Sequence, residues 1–288
     1  MFFTKSTNPW ISSIERRPPD TIAELTYWQG SNDNPPALKM ALNIALVGYT
    51  VTVLSRSESN YTLPANSPTT LKKVKYNNHT SLTLLSKRFV PTEYGIDTSN
   101  PAAVERVPFF RIKENVKKYL EEKAERELIE WTAFITGAFF DCRFLGFNIS
   151  TATATLDPAY RTTKLSASNL SLIGQAVAQA LSPSIAPKTA NKAIYMRSFT
   201  ISQDDILAAF EKVSGKKWTV EAVDFAPKVK EAEEKAQKGD FSGVALLIQS
   251  VIFNENFENN WDVRGLVGNE LLELPKEDLE DAIRQLLA

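Results

Sequence analysis

The sequence predicts an α/β fold, a mostly parallel β-sheet flanked by helices. Three observations carry this. Segments with strand character alternate with segments of helical periodicity over most of the 288 residues. The β-branched run Thr50-Val51-Thr52-Val53-Leu54 directly follows a helical stretch closed by Gly48. The apolar share is 43%, the ordinary level for a globular chain, and the length suffices to bury a core without staples.

Residues 1–35 are the least orderly. Pro18-Pro19 and Pro35-Pro36 break structure, Ser31-Asn32-Asp33-Asn34 reads as loop, and 22–28 suits either a helix or a strand. Apolar residues recur at helical spacing over 36–47. After the strand at 50–54, residues 71–76 read as a second strand, 79–86 as a short helix and 88–91 as a third strand. A long helix is expected over 108–127, with Pro108 in its first turn and Lys/Arg alternating with Glu on its outer face. Residues 131–136 form a fourth strand, ending at Gly137 in an aromatic loop that carries Phe139 and Phe140. Helix 169–182 and strand 192–197 follow. Helix 202–214 opens on Ser202 with Asp205 three residues on, close to a capping box. Strand 217–223 precedes a helical last third at 226–238, 240–253 and 275–287.

Composition excludes several functions. The 33 Lys and Arg nearly cancel the 34 Asp and Glu, so there is no basic field for nucleic acid. The longest apolar stretch, 41–54, is too short and too mixed to span a membrane. A single cysteine rules out an internal disulfide, and a single histidine disfavours a histidine metal site or a catalytic triad. No apolar signal segment opens the chain, so a reducing, cytoplasmic location is expected and the sequons at Asn60, Asn78, Asn148 and Asn169 read as unused. No metal site is expected. The 11 glycines are few for a nucleotide-binding fold.

Parallel sheets bind ligands outside the carboxyl ends of their strands. That directs attention to 55–57, 92–95 and 136–139. Arg56, just past a strand, can pair with the 2′-phosphate of NADP(H) or be a solvated surface arginine. Lys113, near the start of helix 108–127, can polarise a substrate or orient a cofactor ribose, or be an ordinary helix lysine. Two Tyr-x-x-x-Lys pairs, Tyr119/Lys123 and Tyr160/Lys164, have the spacing of a tyrosine–lysine proton donor, but a pattern shared by two of the 8 tyrosines is cheap. Cys142 reads as packing and His79 as a helix cap. There is no G-x-G-x-x-G and no P-loop; Gly265 and Gly268 make only G-x-x-G.

Several stretches resemble one family. ALVGYTVTVLSRSES, KRFVPTEYGIDTSN, YLEEKA followed by EWTAFITGAFFD, SFTISQDDILAAFEKVSGKKWTVE and NELLELPKEDLEDAI are similar to the fungal NmrA-like, isoflavone-reductase-like proteins, atypical relatives of the short-chain dehydrogenases/reductases. The resemblance runs over 36–288. It implies a Rossmann-like parallel sheet that binds NADP(H), at 36–150, and a smaller C-terminal α/β substrate region at 151–288, partly interleaved with it; 1–35 lies outside the pattern. The family's basic residue after its second strand matches Arg56, with Ser57 beside it. Its P-S-E-[FY]-G segment matches 91–95, which places Thr92 and Glu93 at the cofactor. Its catalytic lysine matches Lys113 in Phe110-Arg111-Ile112-Lys113. The loop expected near the nicotinamide matches 136–139, and so implicates Gly137 and Phe139.

The implied activity is NADP(H)-dependent reduction of a small aromatic or conjugated substrate, with helix 240–253 and the C-terminal helices walling the pocket. Two alternatives stand beside it: a non-catalytic NAD(P)-sensing regulator with a protein partner, and a truncated product unable to bind the dinucleotide. The last is motivated by two departures. The family's first strand and glycine-rich loop have no counterpart before 36–47, and a central strand is missing between Leu85 and Lys87. In the strand order 3-2-1-4-5-6 these are the two central strands, and each buried backbone group left unpaired costs about 1–3 kcal/mol. Either 22–28 substitutes as a strand, or the remaining strands close up, or the chain folds poorly, as a truncated or mis-spliced product would.

Overall fold

The computed structural model describes strands 2–5, 49–56 and 69–74 and residues 88–142 and 145–288. The expected helices 36–47 and 79–86, the segment 22–28, and Ser57 and His79 lie outside the described residues. Within them, the α/β architecture is as expected, in four sheets of three strands each.

The first sheet holds β1 (Phe2–Lys5), β2 (Tyr49–Arg56) and β3 (Thr69–Val74). β2 and β3 are parallel, with Arg56 opposite Val74, and β1 runs antiparallel along the other edge of β2, Phe2 opposite Thr52. This corrects the reading of 1–35 as lacking a defined strand outside 22–28. The backbone groups on that edge of β2 are met by the aromatic, β-forming start of the chain.

The second sheet positions the site. β5 (Glu130–Ile135) lies between β4 (Arg88–Phe89) and β10 (Lys192–Tyr195), all parallel. β5 is buried on both faces, as a central parallel strand is. Trp131 and Ala133 pack with Leu120 and Ile129, while Phe134 points the other way into a cluster with Leu172, Ile173 and Val177. The carboxyl ends of β4, β5 and β10 therefore open on one side: Val90 to Gly95, Thr136-Gly137, and Met196.

The predicted helix 108–127 forms as a short 3₁₀ turn followed by an α-helix, and a further helix that the sequence reading lacked precedes it. α1 (Pro101–Arg106) comes first, then a 3₁₀ turn at Pro108–Phe110, then α2 (Arg111–Glu125). Asn100 caps α1 by accepting the Ala102 N–H at 3.0 Å, and Pro101 occupies its first turn. Pro108 lacks the N–H that a continuous helix would require, which separates the two.

The remaining two sheets belong to the C-terminal half. β6 (Ala138–Phe139), β9 (Leu165–Ser168) and β11 (Phe199–Ile201) form one; β7 (Phe147–Asn148), β8 (Thr153–Leu156) and β12 (Thr219–Ala222) form the other. Helices α3 (Leu170–Ala180), α4 (Ala186–Thr189), α5 (Gln203–Ser214), α6 (Ala226–Gln237), α7 (Val244–Ile252) and α8 (Leu279–Leu287) complete the chain. The Ser202–Asp205 capping box forms in both directions at the start of α5. β6 pairs in parallel with β9, so the strand-end loop after β5 is built into the C-terminal sheet.

Candidate active site

The site is assembled on the turn that follows β4. Gly95, at φ 127°, points its carbonyl at two backbone donors, Thr136 N at 3.1 Å and Gly137 N at 2.9 Å. Its own N–H donates to Thr136 Oγ1 at 2.9 Å. Three hydrogen bonds thus fasten the 93–97 turn to the end of β5. Gly137 has no room for a side chain: with φ at 64°, a Cβ would stand 2.0 Å from the Ser166 carbonyl oxygen.

Lys113, in the first turn of α2, reaches back to this turn. Its ammonium donates to the Tyr94 carbonyl at 3.2 Å and lies 5.7 Å from the centre of the Phe110 ring. Burial of its charged end pushes its pKa below the ordinary lysine value, and the Glu93 carboxylate partly opposes this. Glu93 is itself buried and accepts from Thr98 Oγ1 at 2.5 Å. The Tyr94 ring stacks on Phe134, centroids 6.2 Å apart, and its hydroxyl is buried with no hydrogen-bond partner among the described residues. Burial pushes that phenol far above the ordinary tyrosine range.

A second network holds the turn from the far side. Tyr195 Oη donates to Asp97 Oδ2 at 2.8 Å, and both terminal nitrogens of Arg264 reach the same oxygen at 3.1 Å. Arg264 also stands over the rings of Tyr195 and Trp261, 5.3 and 5.5 Å from their centres. Burial works to raise the Asp97 pKa, but the hydrogen bonds from Ser99 and Tyr195 and the charge of Arg264 hold it below the usual carboxylate range. The Tyr195 phenol is pushed up to about 12, by burial first and then by Asp97.

Sequence reasoning singled out Lys113, Thr92, Glu93, Gly137 and Phe139, and all lie at or just beyond the carboxyl ends of β4 and β5. Thr92 is half-buried on the turn. Phe139 is half-buried against the cluster that contains Phe134 and Leu170. Arg56 is the last residue of β2. Neither Tyr-x-x-x-Lys pair is joined by a hydrogen bond: Tyr119 is exposed with Lys123 5.0 Å above its ring and bonded to Glu122, and Lys164 is paired with Asp205 rather than Tyr160. Asp97, Tyr195 and Arg264 were not anticipated, because they are far apart in sequence: Tyr195 is placed by the register of β10 on β5, Asp97 by the turn fastened to the end of β5, and Arg264 by the segment that bridges to Tyr195 at Val267.

Beyond Phe139 the loop enters a cavity of about 1070 Å³. Phe140, Phe147, Phe210, Phe225 and Phe253 line it, and α7 contributes Leu246, Gln249 and Ser250. Gln203, buried, donates to the Leu145 carbonyl at 2.7 Å in its wall. Lys113 does not line this cavity; the 136–141 loop connects the two places. Among the described residues no cluster of His, Cys, Asp or Glu could hold a metal ion, and no helix is long and apolar enough to cross a membrane.

The model of the NmrA-like family matches residues 86–278. The chain belongs to the NmrA-like family. Its similarity to an oxidoreductase of Aspergillus flavus, aprR, is 32% identity over 69% of this chain and 67% of the relative. Against the oxidoreductase poxI of Penicillium oxalicum identity is 25%, over 50% of this chain, which spans only 45% of that relative's length. Among solved structures it is similar to an isoflavone reductase, with TM-score 0.61, 15% identity and coverage of 86% of this chain and 94% of that one. A leucoanthocyanidin reductase–NADPH complex from Vitis vinifera gives TM-score 0.57 at 12% identity, covering 87% and 95%. At these identities the likeness concerns the fold, which is Rossmann-like. The NmrA-like chain thus shares its architecture with reductases and its sequence with fungal oxidoreductases.

Proposed function

We propose that this chain is an NADP(H)-dependent reductase of the isoflavone-reductase-like kind, acting on an aromatic or conjugated small molecule. The observation that carries the reading is Lys113, its charged end buried and tied to the strand-end turn, one loop away from a phenylalanine-walled cavity. The residue set fits the reacting end of a dinucleotide. Gly95 leaves open space, since a Cβ there would meet nothing within 4 Å. When bound, NADPH supplies a hydride from its nicotinamide C4.

The chain's own residues do the rest. Arg56 would pair with the 2′-phosphate, with Ser57 beside it. Thr92, Glu93, Gly137 and Phe139 would flank the nicotinamide end. Lys113 would hold a proton at the substrate atom on which negative charge collects, and deliver it there. Glu93 would keep Lys113 in its charged form against the cost of burial. The cavity would hold and orient the ring system of the substrate and exclude water from it, its reacting end extending past the 136–141 loop towards Lys113, with 244–252 and the C-terminal helix as walls. In this reading 36–150 would hold the dinucleotide and 151–288 the substrate, with 1–35 apart, and the β6–β9 pairing is consistent with two interleaved parts. A cytoplasmic setting is consistent with the single cysteine. The test is NADPH oxidation across a panel of conjugated carbonyls and aromatic ethers with wild type and Lys113→Ala. Turnover that disappears in the variant supports the reading, and turnover that survives it refutes the role of Lys113.

A further inference from the structure

The large cavity has one cationic wall. Arg106, at the end of α1, and Lys230 and Glu233 on α6 all line it. Arg106 Nε lies 2.9 Å from Glu233 Oε1, and the guanidinium stands 5.7 Å from the centre of the Phe257 ring. Its two terminal nitrogens donate to no described residue, and Lys230 has no ion-pair partner among the described residues. The acids elsewhere in the lining are engaged by the backbone. Asp157 accepts from the N–H groups of Ala159 and Phe225 at 2.9 and 3.1 Å, and Asp141 from that of Leu170 at 3.2 Å. Arg106 and Glu233 also border a smaller cavity of about 410 Å³ on their other side. The guanidinium fork therefore stands at the boundary of two cavities, held at Nε and free at its planar end.

We propose that the cavity takes an aromatic substrate bearing a carboxylate, and that Arg106 is the residue that selects it. A guanidinium fork matches a carboxylate bidentately, where a lysine offers only a point charge. Glu233 holds Nε and sets the plane of the fork. The Phe257 ring, which lines the smaller cavity, packs against the guanidinium from that side. Lys230 adds positive charge on the same wall. The phenylalanines opposite bury the ring system. This rests on the reading of the cavity as the substrate site.

The test is calorimetric binding, to the full chain without cofactor, of 2-naphthoate and 4-phenylbenzoate, each against its methyl ester. Each acid is expected to bind about tenfold or more tightly than its ester. Arg106→Gln should remove that preference and leave ester affinity unchanged. Arg106→Lys, which keeps the charge but loses the fork, should lose most of it and serves if the glutamine variant does not fold. Acid and ester binding equally to wild type, or a preference that survives both variants, overturns the assignment of Arg106. Binding of neither acid nor ester overturns the cavity as substrate site, and this proposal with it.

Discussion

Lys113 donates to the Tyr94 carbonyl at 3.2 Å, and so fastens the first turn of α2 to the turn that follows β4. The next carbonyl, that of Gly95, takes the backbone N–H groups of Thr136 and Gly137. One short turn therefore sets the positions of both the candidate proton donor and the strand-end loop that leads to the cavity.

Lys113→Ala removes the donor but none of the proposed dinucleotide contacts. Turnover should fall by about 10²–10⁴-fold with NADPH affinity largely unchanged. Single-turnover kinetics and calorimetry on the same preparation separate the two. A parallel loss of affinity would make Lys113 a binding residue instead.

The rate should also report the Lys113 ionisation. As a proton donor it is active when charged, and burial sets its folded pKa below the ordinary value of 10.5. The rate is therefore expected to fall on the alkaline side with an apparent pKa below 10.5. Stability runs the other way. Between the folded and unfolded values the unfolded chain holds more protons, so the burial penalty is full below the folded pKa and fades as pH rises towards 10.5. Relative to Lys113→Met, the wild type should therefore gain stability as pH rises from 7 to 10. Denaturant melts at pH 7 and pH 10 check the sign.

Asp97 carries the opposite dependence. Its folded pKa is held below the ordinary value of 3.8, so its contribution is present above that value and is lost as pH falls through the lower folded value. Asp97→Asn leaves Arg264 and Tyr195 without their charged acceptor and should cost about 2–4 kcal/mol at pH 7. The gap between wild type and variant should close in acid below pH 3.8. A gap that stays constant from pH 7 to pH 2 would assign the loss to packing rather than charge.

Gly137→Ala would set a Cβ against the Ser166 carbonyl at a φ of 64°. The expected cost is at least about 2–4 kcal/mol, or failure to fold. Ser202→Ala should cost only about 1 kcal/mol, the loss of one side of a capping box. Thermal melts of both variants rank the two effects, and a Gly137→Ala variant as stable as Ser202→Ala would contradict the close approach.

How much of this was legible in the sequence differs by element. The Thr50–Leu54 run and the 131–136 strand declared themselves through β-branched and aromatic residues, and the Ser202–Asp205 box through its spacing. β8 and β9, written TATL and LSAS, carry no such signal. Ser166 and Ser168 are fully buried and each is hydrogen-bonded there, Ser166 Oγ accepting from the backbone N–H of Trp261 at 2.9 Å and Ser168 Oγ donating to the Thr136 carbonyl at 2.7 Å. Such partners lie too far along the chain for local patterns to show them. α1 could have been read from Asn100-Pro101, a cap followed by a first-turn proline. The same holds for the site. Lys113 stands in a short motif, whereas Asp97, Tyr195, Arg264 and the Arg106–Glu233 wall arise only when distant segments pack.

The central proposal is that this NmrA-like chain builds a dinucleotide site. Its most direct test is calorimetric titration of the full chain with NADPH and, separately, with NADH, using protein shown by circular dichroism to be folded. Micromolar binding of NADPH, tighter than NADH and weakened towards the NADH value by Arg56→Glu, is the result expected. Folded protein that binds neither dinucleotide would contradict the account and leave a Rossmann-like scaffold without the chemistry of its relatives.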